Sequence, residues 1–319
     1  MFKLVDRTLS CLDGYQVKDW QVHRFAELLL DAGVDCVEVS EKFASMVELA
    51  PEKLALRLQN PGDCAKHPAF SRFVCLRASS SNPRVITELA LNDMKDSYTI
   101  AKNAGIENVR LRGLDGCLLE DYLNVFELVR KTFPGFIELC PTNRNRCATA
   151  IAVEWAADGG SSVVSSFAGI GGFACTEEVI MALRMSRQRK PGKMYGMFPE
   201  MRRLMQDMCK RKFPRSKPVI GEGIFCVESG LHVDGIAKQP KCYEPFPPET
   251  VGQERTISLG KGSGKASIEW KLKELGICID TELAPALLRL VKEAGISLNQ
   301  PISDKEFKKM ALGLKKGLA

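Results

Sequence analysis

The sequence lacks any C-x-x-C pair, any apolar run near the roughly 18 residues that a membrane helix requires, and any basic-then-apolar opening at its amino end. It has only three histidines, and aromatic residues make up 7% of it. These absences exclude a zinc ribbon, a dithiol redox pair and a disulfide framework, and they argue against a secreted or membrane-spanning protein. A cytoplasmic protein with no membrane partner is expected. What is present is ample: 319 residues, 45% hydrophobic and 26% charged, the composition of a globular chain that buries a core. The twelve cysteines are scattered, several within apolar runs such as VDCVEV and FVCLRA, where a reduced thiol packs as a small hydrophobe.

The net charge of +6 is concentrated. Residues 184–217 hold twelve basic residues against two acidic ones, Glu200 and Asp207. Sparse aromatics and the lack of a recognition motif speak against nucleic acid as a partner, which leaves a surface steering phosphates or an acidic partner, or a solvated helix face.

Short β-branched runs alternate with segments of helical period, the pattern of β-α units around a parallel sheet. Strands are expected at Phe2–Val5, Val34–Val39, Leu54–Leu58, Phe73–Leu76, Ile86–Leu91, Val109–Leu111, Phe136–Leu139 and Ser162–Ser166, and eight strands close a barrel. Helices are expected at Trp20–Ala32, Asp93–Ala104, Leu119–Lys131, Arg146–Asp158 and Glu177–Ser186. Between Leu54 and Leu91 the strands crowd together with little room for helices, so the expected fold is an α/β barrel of the TIM type, shortened in the middle. The expected organisation is a barrel over residues 1–190, a basic connecting segment over 191–217, and a loop-rich linker with a small helical subdomain over 218–319. Helices are expected there at Ala266–Leu275, Glu282–Ala294 and Lys305–Lys315.

Of the histidines, His23 falls in an amphipathic helix and His67 in a loop before Pro68, both ordinary surface positions. His232 stands in ESGLHVDGI, expected to be a loop, between Glu228 and Asp234 and eleven residues before Tyr243. An imidazole near carboxylates, with a phenol at hand, suits acid-base work.

The stretch ESGLHVDGIAKQPKCYEPFPPETVGQERTISLGKGSGKASI resembles the carboxyl-terminal signature of the homocitrate synthases, within the TIM-barrel metallolyase family that includes isopropylmalate and citramalate synthases. The resemblance extends upstream: VDRTLSCLDGYQ is similar to the strand-one motif D-x-T-L-R-D-G-x-Q, GVDCVEVS to strand two, and ELCPTNRNRCATA to E-x-H-x-H-N-D-x-G-x-A-T-A. It implies a divalent metal (Mg, Mn or Zn), acetyl-CoA and a 2-oxo acid, a homo- or heterodimer with a homologous subunit, and a His and Tyr, here His232 and Tyr243, that reach the partner's active site. It also implies substrate contacts at the strand ends, where Glu38 and Arg77 stand, although an ion pair is an equal reading of Glu38 and Arg77.

The family's metal positions are altered. Ser10 and Cys11 replace its Arg and Asp, unless Leu12-Asp13-Gly14 is a shifted form in which Asp13 serves as ligand; Cys140 and Thr142 replace its two His; and FAGIGGFACTEEV lacks the Glu-Arg pair and Asn of its strand-eight loop. Neither a thiol nor a hydroxyl replaces imidazole on a hard cation without large loss. The sequence therefore predicts an acyltransferase subunit or paralogue whose own metal site is lost and whose His/Tyr segment acts in trans. The competing readings are a barrel retained for regulation or binding, and a thiol enzyme using Cys11 or Cys140.

Overall fold

The computed structural model describes residues 2–76, 82–91, 102–116, 122–186, 189–190 and 192–316. They form two compact units, the first ending at Phe213 and the second beginning at Pro214.

The first unit is a closed barrel of eight parallel strands in chain order: β1 (Lys3–Asp6), β2 (Cys36–Ser40), β3 (Leu54–Leu58), β4 (Phe73–Leu76), β5 (Val85–Leu91), β6 (Asn108–Gly113), β7 (Phe136–Pro141) and β8 (Ser162–Ser165). Pairing of β1 with β8, from Lys3 opposite Ser162 to Asp6 opposite Ser165, closes it. All eight strands lie where the apolar runs place them. Side chains alternate between the axis and the helical layer, so Val5, Cys36, Ala55, Val74, Ile86, Cys140 and Val164 meet inside.

Helices α1 (Asp19–Ala32), α2 (Tyr122–Thr132), α3 (Ala148–Ala157) and α4 (Thr176–Met185) cover the barrel. Between β2 and β4 the connections are 3-10 turns instead, at Glu41–Met46, Pro51–Lys53 and Pro61–Lys66. Pro51 and Pro61 each open such a turn, and the short spacing leaves no room for a full helix. The shortening in the middle thus lies in the helical layer, while the sheet is complete. Most of the helix expected over Asp93–Ala104 lies outside the described residues.

The basic stretch is largely part of the first unit. Within it, α5 (Phe198–Cys209) buries Met201, Met205 and Met208 and is tied to α1 by Arg24 to Glu200 at 2.8 Å and by Gln21 Nε2 donating to Asp207 at 2.6 Å. Arg189 donates to the carbonyls of Phe2 at 3.1 Å and Gly33 at 2.8 Å and to Asp35 at 2.6 Å, and Lys193 donates to the carbonyl of Asp31. These cations sit where the α1 dipole ends and its last carbonyls need donors. They serve as a cap for α1.

The second unit pairs two short parallel strands, β9 (Cys226–Val227) and β10 (Thr256–Ile257), with helices α6 (Gly230–Lys238), α7 (Lys265–Glu274), α8 (Ala284–Leu298) and α9 (Asp304–Lys316). Leu259, Ile268, Leu272, Leu287, Val291 and Phe307 form its core. Gly230 and Gly264 meet backbone to backbone, so a Cβ on either collides with the other, which is why both loops carry glycine there. Among the described residues no helix is long and apolar enough to cross a membrane.

Candidate active site

Five barrel strands, largely apolar, carry charge on the inward face: Glu38 on β2, Arg57 on β3, Glu88 on β5, Arg110 and Arg112 on β6 and Glu138 on β7. They form one network. Arg110, fully buried, donates from Nε to Glu138 at 2.7 Å and from Nη1 to Glu38. Arg57 grips Glu88 with two bonds of 2.9 and 2.8 Å, and Arg72 pairs with Glu138. Ser10 donates to Glu38 at 2.7 Å. Burial alone would raise the Glu38 carboxyl, but Arg110, Arg7 and Arg57 outweigh it and hold the group well below the usual carboxylate range. Glu88 is likewise lowered by Arg57, Arg7 and Arg110 against the effect of burial. Glu38 is therefore a fully buried member of an internal ion network with no open face for a substrate. Arg77 lies outside the described residues.

Arg7 follows β1 and points into the same interior. It is 4% exposed, lies 3.6 Å from Glu88 and 3.9 Å from Glu38, and its Nη1 reaches Cys140 Sγ at 3.5 Å. The ring of Phe173 covers it, with the guanidinium carbon 4.1 Å from the ring centre. The loop after β8 fixes that ring. Left-handed Gly169, Gly171 and Gly172 turn the chain, Asn143 N–H donates to the Gly172 carbonyl at 2.8 Å, and Thr142 bridges to Phe173. The segment FAGIGGFACTEEV, which departs most from the family pattern, is thus the one that seats an apolar plug at the barrel mouth.

The residues at the family's metal positions surround this plug. Cys140 and the partly buried Cys11 pack in the same apolar cluster as Phe173. Burial pushes the Cys11 thiol up to about 11, only partly opposed by Arg7, and raises Cys140 likewise. Both are protonated at neutral pH, which removes the basis for a thiol nucleophile. Thr142 is engaged with Asp115, donating at 2.5 Å. Asp13 is exposed, and its carboxylate accepts from Ser40 at the end of β2. Among the described residues the one group of three close His, Cys, Asp or Glu donors is Cys175, Glu177 and Glu178, and it includes none of these four. With no third His, Cys, Asp or Glu grouped with them among the described residues, two buried thiols, a committed hydroxyl and a separate exposed carboxylate do not fit a Mg²⁺, Mn²⁺ or Zn²⁺ centre.

A cavity of about 390 Å³ remains above the plug, lined by Arg112, Gly113, Thr142, Asn143, Arg144 and Phe173 among others. Below the rim, Asp6 is fully buried and accepts from Thr8 N–H at 2.8 Å and Thr176 Oγ1 at 2.5 Å; burial raises its carboxyl to about 6 despite these bonds.

In the second unit the rings of His232 and Tyr243 lie 5.8 Å apart, centre to centre. His232 does not stand in a loop, however. It lies on the first turn of α6, exposed beside Leu231, and Tyr243 is 45% exposed. The short apolar stretch around Val233 and Ile236 supplies the helical face, which the flanking glycines obscure. Tyr243 rests its ring on Gly235, where any Cβ would overlap it.

Residues 219–297 match the family model described as the homocitrate synthase post-HMGL domain-like region. Over 96% of its length the chain is 27% identical to 94% of the homocitrate synthase omega subunit of Clostridium pasteurianum. The chain is a homocitrate-synthase-like member of the isopropylmalate and homocitrate synthase family. With 2-isopropylmalate synthase 2 of Caldanaerobacter subterraneus the identity is 34% over 71% of this chain and 60% of the relative. The barrel is similar to hydroxymethylglutaryl-CoA lyase from Pseudomonas aeruginosa, with a TM-score of 0.53 and 15% identity over 66% of this chain and 94% of that one, a likeness of fold. Within the synthase family, Arg7, Arg57, Glu88, Arg110 and Glu138 were not anticipated as a unit. The signal for Arg57, Glu88, Arg110 and Glu138 is a charge at an inward position of a strand otherwise built largely for burial, and Arg7 follows directly on β1.

Proposed function

We propose that this chain is a subunit or paralogue serving a homocitrate-synthase-like acyltransferase, lacking a metal of its own and presenting His232 and Tyr243 to the barrel of a metal-bearing homologous partner. The reaction of the assembly joins the methyl carbon of acetyl-CoA to the carbonyl carbon of a 2-oxo acid such as 2-oxoglutarate, and water then cleaves the thioester, giving a tertiary hydroxy acid and free CoA. The observation that carries the reading is the contrast between the two units: the barrel axis is filled by Arg7 and Phe173, whereas the His-Tyr pair is exposed and pre-positioned. The omega-subunit description of the Clostridium relative accords with a shared assembly.

In this reading the His232 imidazole moves a proton at the partner's reacting centre, and the Tyr243 hydroxyl orients it. The test is CoA release, followed by chromatography because the chain's own thiols would consume thiol reagents. The chain alone should release none from acetyl-CoA and 2-oxoglutarate. A mixture with an intact homologous synthase should exceed the synthase alone, and His232→Ala should abolish the gain. Turnover by the isolated chain, or a gain that survives His232→Ala, would refute trans action. A mixture no faster than the synthase alone would favour a purely regulatory or binding barrel.

A further inference from the structure

The residues at the family's metal positions do not merely lack donor strength; a permanent cation lies among them. Arg7 meets Cys140, Glu38 and Glu88 within 4 Å and sits close enough to Cys11 to influence its thiol. Its remaining face is covered by Phe173. Among the described residues, no three of Cys11, Cys140, Glu38 and Glu88 come within 4.8 Å of one another while Arg7 stands between them. Arg7 Nε is buried with no hydrogen-bond partner, so the side chain is held by charge and ring contact more than by a complete set of donors.

We infer that Arg7 is a built-in replacement for the divalent cation, a side-chain charge that balances Glu38 and Glu88, closes the barrel axis and excludes metal from it. Three features converge on this. A fixed +1 charge repels an incoming cation at short range. Together with Arg57 and Arg110 it neutralises the carboxylates that would otherwise attract one. Phe173, placed by the altered β8 loop, seals the guanidinium from the mouth cavity, so the Arg and the loop act as one unit. Like the proposed function, the inference rests on assigning Cys11 and Cys140 to the family's ligand positions, but it does not depend on catalysis in trans, since its readout is metal binding by the isolated chain.

The experiment is a Co²⁺ titration of the full-length chain by equilibrium dialysis, with absorbance recorded for thiolate-to-cobalt charge transfer, because sulfur donors favour a borderline metal over Mg²⁺. The wild-type chain and Arg7→Lys, which keeps the charge, should show no stoichiometric site. Arg7→Ala should gain one, with affinity at least about a hundredfold above wild type and with the charge-transfer band. Phe173→Ala, which keeps the cation and removes only the ring, should stay metal-free. The melting temperature of the wild-type chain should be the same with Mn²⁺ as with a chelator, a measurement that stands even where Arg7→Ala does not fold. Tight stoichiometric binding by wild type, a metal-dependent rise in its melting temperature, no gain in a folded Arg7→Ala protein, or binding by Phe173→Ala with Arg7 intact would each overturn the inference. If the inference holds while the synthase mixture shows no gain, trans action fails and the internal cation stands.

Discussion

Arg110 illustrates how the interior is balanced. It bridges Glu38 and Glu138 at zero exposure, while Arg57 and Arg72 complete those carboxylates from the sides. An apolar isostere in its place leaves two carboxylates short of their central partner, so Arg110→Met is expected to cost about 3–5 kcal/mol in urea unfolding. Asp6 gives the opposite kind of dependence. Folded, it keeps its proton up to about pH 6; unfolded, it releases it near its ordinary value of 3.8. Between those values the folded chain binds more protons, so the Asp6 contribution falls as pH rises through that window, by roughly 3 kcal/mol. Glu38 and Glu88, whose folded carboxyls are lowered, contribute stability that is present above their ordinary range and is lost as pH falls below it. The difference between wild type and Asp6→Asn isolates the Asp6 slope: the variant should lose less stability than wild type between pH 4 and 6, and parallel curves would contradict the assignment.

At the level of elements, β-branched runs suffice to place all eight strands, because a strand buried on both faces must be apolar nearly throughout. Helix α6 was harder to see. Two of its nine residues are glycine, and its buried face consists of Val233 and Ile236 alone, too short a period to register. Helix α5 was masked differently, its methionine stripe being read as part of a run of charge although Met201, Met205 and Met208 are its buried face. The β8 loop shows how far motif comparison reaches: the missing Glu-Arg pair and Asn are visible in the sequence, but the use of Phe173 as a plug appears only once Gly171 and Gly172 have turned the chain back over β7. Gly113 closes β6 with φ 124°, and a Cβ there would strike the Leu91 carbonyl of β5. Gly113→Ala should therefore lower stability by about 1–3 kcal/mol, read as a drop in melting temperature; an unchanged melting temperature would show that the β5–β6 junction yields.

Across the whole molecule, the two units differ in what they have kept. The barrel retains its strands, its register and its mouth cavity, but its axis is a closed ion network capped by Phe173. The second unit retains the His-Tyr pair, seated by Gly235 and exposed. The family was legible from the 228–268 stretch because its glycines, His232 and Tyr243 are fixed by close backbone approach and local stacking. The internal network was not, because charges on five strands meet only when the barrel closes. The most direct test of service in trans is complementation. A homologous synthase whose own His, at the position matching His232, has been changed to Ala should release little CoA alone and recover when this chain is added. This chain carrying His232→Ala should restore none. Equal restoration by both forms, or by neither, would contradict the account.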